Sequence, residues 1–237
     1  PRAAYNNNSS YGNAVINETY FNSLYSVLTD SNTLMLALAH ATEFTDNAQI
    51  EVIGRFGQAL SVGYLAMVYD RVWLSDENGP INDGEYVGYA EAMTFALEKL
   101  VQAIAVATAN NVDLPANAIP GHTYGSADFI ELLNSFGARM SVMNSRTTAE
   151  RDAVNWAKVL QYANKGLSSR DFEVTTDADV IWDDYKWVLC QFGWARTDMY
   201  VVNLMDPTKP KKWPAGAVTM PESTSADARL LTDYEYM

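Results

Sequence analysis

Few side chains in this sequence are of the types and spacings that break bonds. Its two histidines, His40 and His122, each lack a second histidine at metal-ligand spacing. His40 lies in an Ala-rich helical stretch and reads as a structural side chain. His122 follows Pro120-Gly121 and reads as a solvated loop residue. Cys190 is the single cysteine. Beside Val188, Leu189 and Phe192 it reads as a buried thiol, and alone it forms neither an intramolecular disulfide nor a zinc site of the usual spacing. No G-x-S-x-G elbow, glycine-rich phosphate loop or H-E-x-x-H pattern is present. The expectation is a protein without catalytic residues or a cofactor.

Two acidic segments and a set of aromatic residues remain. The run Asp76-Glu77-Asn78-Gly79-Pro80-Ile81-Asn82-Asp83-Gly84-Glu85 supplies the oxygens a calcium ion prefers. It departs from the EF-hand register, because glycine comes fourth and proline follows. A solvated acidic turn is the expectation, with calcium as the alternative. Asp177, Asp179, Asp183 and Asp184 could pair as acid and base for glycoside hydrolysis, which requires two carboxyl groups across a scissile bond. Tyr5, Tyr11, Trp73, Tyr124, Trp182, Tyr185, Trp187, Trp194 and Trp213 fall in loops or at element ends. Flat rings beside Asn, Asp or Arg suit sugars, whose C–H faces stack while their hydroxyls hydrogen-bond. Trp156, inside a periodic helix, is expected in the core.

The elements that would position these residues are helical. Phe21, Leu24, Tyr25 and Leu28 recur at helical spacing, with a break expected at Asp30-Ser31-Asn32. A helix over 47–70 carries Phe56, Leu60, Tyr64 and Met67. Gly54, Gly57 and Gly63 interleave with them, and glycines that cost a helix about 1 kcal/mol each imply close packing against another backbone. The segment 75–84 is expected as a loop. A helix over 86–109 shows Met93, Leu97, Leu100, Ile104 and Ala107 on one face. Ser126 is expected to cap a helix with Phe129, Leu132, Leu133, Phe136 and Met140. Thr147-Thr148-Ala149-Glu150 fits a capping box, opening a helix that runs to Lys165-Gly166. Beyond it, Pro207, Pro210, Pro214, Pro221 and Gly216 exclude a long regular element. Strand signals are scarce. The fold class is all-α: tetratricopeptide-like antiparallel helix pairs with long irregular loops, although no repeat of about 34 residues is evident.

Composition narrows the partners. The 237 residues carry a formal net charge of −13, and no basic run exceeds Lys211-Lys212, which disfavours nucleic acid. No stretch approaches the roughly 20 apolar residues that span a bilayer. Both ends, Pro1-Arg2-Ala3-Ala4 and Tyr234-Glu235-Tyr236-Met237, read as edges of something longer.

Several phrases, in this order along nearly the whole chain, resemble the SusD/RagB family. They are Pro1–Asn8, Gly54–Asp70, Leu132–Met140, Arg146–Arg151, Trp156–Leu167, Asn203–Pro207 and Thr224–Arg229. The resemblance implies the middle portion of a lipid-anchored, outward-facing outer-membrane protein, its acceptor Cys absent from this chain. It implies one domain, with a loop over 1–16, a helical-repeat scaffold over 17–167 and an irregular, ligand-facing segment over 168–237. It further implies capture of a glycan or peptide and delivery to a SusC-like TonB-dependent transporter. By position it favours Asn6, Asn7, Asn8, Tyr11, Trp182, Tyr185 and Trp213 as ligand residues. The alternatives are a helical-repeat scaffold that binds protein segments, with its loop aromatics buried, and a glycoside hydrolase using Asp177 to Asp184.

Overall fold

The structure, a computed structural model, describes residues 8, 10–12, 14–40, 44–116, 118–175 and 197–232. The fold is all-α. Four long helices, α1 (Val15–His40), α2 (Asn47–Val68), α3 (Tyr89–Asn110) and α4 (Ser126–Met143), pack in succession. The short helices α5 (Thr148–Asp152) and α6 (Trp156–Ala163) follow, then α7 (Met199–Met205) and α8 (Arg229–Thr232). The chain divides into a helical unit, Pro1–Thr175, and a second unit, Thr176–Met237.

α2 is the axis of the helical unit. It touches α1, α3 and α4, so it is buried on most of its circumference, with Val52, Ala59, Val62, Leu65 and Ala66 fully enclosed. The stripe Phe56, Leu60, Tyr64 and Met67 is only half-buried, and Phe56 packs edge-on against Phe129 and Phe136 of α4. Glycines make this close approach geometrically feasible. A Cβ at Gly54 would lie 2.6 Å from Met35 Sδ, one at Gly63 would lie 2.9 Å from Met140 Sδ, and one at Gly57 would overlap Ser31 Oγ. Because residue 31 meets 57 and residue 35 meets 54, α1 and α2 run antiparallel.

α1 passes through Asp30-Ser31-Asn32 without the expected break. Ser31 Oγ donates back to Val27 O (2.7 Å), and Asn32 Nδ2 donates to Ser75 Oγ (3.1 Å). Ser31 thus bonds back within the helix, and Asn32, which could compete with the helix backbone, is engaged outside it.

The segment 75–84 is likewise more ordered than a loop. β1 (Arg71–Trp73) pairs antiparallel with β4 (Tyr86–Gly88), and between them β2 (Ser75–Asp76) pairs with β3 (Gly79–Pro80) across a turn at Glu77-Asn78, followed by a 3-10 turn at Asn82–Gly84. Two of its acids, Asp76 and Glu77, face cations, whereas Asp83 is exposed. Glu77 accepts from Arg55 Nη1 (2.7 Å) and Gln58 Nε2 (2.9 Å), and Asp76 accepts from Lys99 Nζ (3.1 Å). Lys99 is 7 % exposed. Burial would raise the Glu77 carboxyl, but hydrogen bonds from Gln58, its own backbone and Arg55, with the Lys99 charge, outweigh it and hold Glu77 at about 2.

α3 is long and apolar enough to cross a membrane by length and composition, contrary to the expectation that no stretch comes near. It buries Met93, Ala96, Leu100, Ala103 and Ala107 and packs on α2 and α4, so it serves as a core helix.

Helix ends account for the other departures. Gly125, with extended backbone, is the N-cap of α4, and Ser126 is its first helical residue without a side-chain cap bond. The Thr147 capping box is present: Thr147 Oγ1 accepts from Glu150 N (3.2 Å) and Glu150 Oε2 from Thr147 N (2.9 Å). Its helix stops at Asp152, and Asn155 recaps the next by accepting from Lys158 N. Trp156 is thereby the first residue of α6 and stands 52 % exposed, where a core residue was expected. Gly137 admits Tyr162 of α6. Arg146 donates to Ala66 O (2.8 Å) and Tyr69 O (2.7 Å), satisfying carbonyls at the end of α2, and lies over the Tyr89 ring.

Candidate functional site

In the second unit, the Asp206-Pro207 phrase builds a rigid irregular loop. Asp206, 3 % exposed, accepts from Ser223 Oγ (2.6 Å), Thr208 Oγ1 (2.6 Å) and Thr208 N (3.1 Å). Those hydroxyl bonds hold its carboxyl below the ordinary range, against a smaller opposing effect of burial. Ser225 Oγ donates to Met205 O (2.7 Å), and Lys209 Nζ to Pro221 O and Glu222 O. The proline-rich loop is thereby pinned to the end of α7.

This loop and the start of α7 enclose a surface hollow of about 620 Å³, lined by Thr197, Asp198, Met199, Tyr200, Lys211, Lys212 and Trp213. Asp198 caps α7 by accepting from Tyr200 N (2.8 Å), placing Tyr200 in the first turn. Trp213 donates its indole N–H to Ala217 O (2.8 Å) across a turn in which Gly216 takes a φ of +79°, a conformation that suits glycine. One ring edge is therefore fixed while the ring stays 49 % exposed, and Tyr200 is 51 % exposed. Two open rings with a carboxylate and two ammonium groups beside them can stack on an apolar face and bond its surrounding hydroxyls. They do not form a nucleophile–base pair.

Of the seven residues favoured from sequence, three are described, and among those Trp213 alone lines this hollow. Asn8 holds its own turn, its Oδ1 accepting from Ser10 N (2.9 Å) and Ser10 Oγ (2.7 Å). Tyr11 is half-buried, and its N–H bonds Asn8 O. Asn6, Asn7, Trp182 and Tyr185 lie outside the described residues, as do Cys190 and the acids Asp177, Asp179, Asp183 and Asp184. Tyr200 and Asp198 were missed from sequence. The signal for them was an Asp just before an apolar run, which marks a helix start.

Tyr5, Trp187 and Trp194 also lie outside the described residues, while Tyr124 and His122 are packed in the helical unit. Tyr124 is buried under Arg170, whose guanidinium carbon is 4.2 Å from its ring centre. His122 is half-buried instead of solvated, with Nδ1 3.4 Å from Arg170 and Nε2 4.0 Å from Glu173. His40 is exposed at the end of α1, not packed. Among the described residues no cluster of His, Cys, Asp or Glu could hold a metal ion, and Asp76 and Glu77 already face cations.

No family model, curated protein or solved structure matches this chain.

Proposed function

We propose that the protein is a non-catalytic binding protein that captures oligosaccharide, ahead of peptide, at the surface of a Gram-negative outer membrane and passes it to a TonB-dependent transporter. The observation that carries the binding half is the pair of exposed rings, Trp213 and Tyr200, which with Asp198, Lys211 and Lys212 line a hollow of about 620 Å³. That volume lies within the usual range for small-ligand sites. Family resemblance in the ordered phrases along the chain supports the location, the lipid anchor and the transporter partner.

A glycan array followed by calorimetry on the full-length protein tests the reading. Saturable binding to a glycan, weakened by Trp213→Ala, is the expected result. Tight binding to a partner protein and to no glycan or peptide would reject it. The scaffold alternative requires loop aromatics inside the core. Tyr124 meets that requirement, but Trp73 and Trp213 stand 45 % and 49 % exposed.

A further inference from the structure

A second hollow, of about 350 Å³, lies in the helical unit on the outer face of α1, lined by Asn22, Tyr25, Ser26, Thr29 and Asp30. Beside it stand Trp73 and Tyr86, directly opposite one another across β1 and β4. Both rings are open, at 45 % and 52 % exposed, with centroids 6.2 Å apart and planes inclined by 39°. Tyr25 joins the two features: its hydroxyl donates to Trp73 O (3.1 Å) and accepts from Trp73 N (2.7 Å). The backbone of β1 at Trp73 is thus tied to the wall of the polar hollow.

The polar lining offers mostly acceptors, with the Asn22 amide adding donors. Ser26 Oγ donates to Asn22 O (3.0 Å) and Thr29 Oγ1 to Tyr25 O (2.9 Å). Both hydroxyl protons are therefore engaged, and their lone pairs, with the Asp30 carboxylate, present acceptors. An array of acceptors beside two flat rings complements a polyol with apolar C–H faces. The chain's net charge of −13, with Asp30 at the hollow, disfavours an anionic sugar. A cross-strand aromatic pair alone would stabilise the hairpin, but that role does not call for an adjoining hollow of this polarity.

We propose that the α1 hollow and the Trp73–Tyr86 pair form a binding site for a neutral pyranose ring of an oligosaccharide, separate from the Trp213 hollow. The proposal rests on the glycan-binding reading above and adds a second point of attachment, on the helical unit.

Calorimetric titration of the full chain with neutral hexasaccharides (malto-, cello-, xylo- and manno-series) tests it, with thermal melts and sedimentation run on each variant. Trp73→Ala and, on the exposed helix face, Asp30→Ala should each weaken binding at least ~5-fold, with a cooperative melt kept in both and only the small drop that loss of one cross-strand pair brings in Trp73→Ala. Trp73→Ala combined with Trp213→Ala should abolish binding. If both Trp73→Ala and Asp30→Ala bind as the parent does while Trp213→Ala fails, this site is wrong and the glycan reading stands. Binding kept in Trp213→Ala and lost in Trp73→Ala supports this site and removes the Trp213 hollow from the reading. No binding of any hexasaccharide by the parent overturns both. If Trp73→Ala dissociates a dimer and leaves sugar affinity intact, the rings are a self-association surface and the proposal falls.

Discussion

Glu77 shows how the role of a residue depends on what surrounds it. Its folded carboxyl lies at about 2, below the ordinary 4.5, so it favours the folded state fully above pH 4.5. That contribution is lost as pH falls from 4.5 towards 2. Glu77→Gln should flatten this part of the acid-unfolding curve. At neutral pH it should cost about 1–2 kcal/mol, because Arg55 loses its close ion partner in a half-buried site while Lys99 keeps Asp76. Urea melts at pH 7 and pH 3 on parent and variant provide the measurement. Trp213 should behave oppositely. With its ring face open, Trp213→Ala should leave the melting temperature nearly unchanged while lowering glycan affinity by about tenfold, as read by calorimetry.

Among the elements, the α1–α2 contact is the most restrictive. Gly→Ala in a helix interior ordinarily stabilises by about 1 kcal/mol. At Gly57 the added methyl would overlap Ser31 Oγ and lie 3.3 Å from Ser31 Cβ. Gly57→Ala should therefore destabilise, by about 1–3 kcal/mol, and Ser31→Ala in the same chain should restore most of the loss. A double-mutant cycle from denaturant melts would show the coupling; simple additivity would contradict the packing. The Thr147 box is a smaller test at the same scale. Thr147→Ala should cost about 1 kcal/mol, visible as a lower denaturant midpoint.

For the molecule as a whole, the buried hydrophobic cluster runs from Leu28 to Met140, all within Pro1–Thr175. A chain ending at Thr175 should fold by itself, with helical circular dichroism and a melting temperature within ~5 °C of the full chain. It should keep the Trp73 hollow and lose the Trp213 one. A broad, non-cooperative melt would show that the helical unit depends on the remainder.

The helices were legible in the sequence because a 3.6-residue period of apolar side chains is a local property. The Gly54, Gly57 and Gly63 series already implied a neighbouring backbone. The Thr147 box and the proline-rich arrest after Asp206 were legible for the same reason: each depends on residues only a few positions apart. The tertiary structure alone decided which polar groups face inward. Asp76 and Glu77 resemble a solvated turn until Arg55, Gln58 and Lys99 arrive from two helices. Trp156 fits a core position until Asn155 caps a new helix that begins with it. Trp213 and Tyr200, or Tyr25, Trp73 and Tyr86, become a surface only when segments distant in sequence meet. Local periodicity fixes how a segment coils, whereas long-range contact determines what each side chain touches.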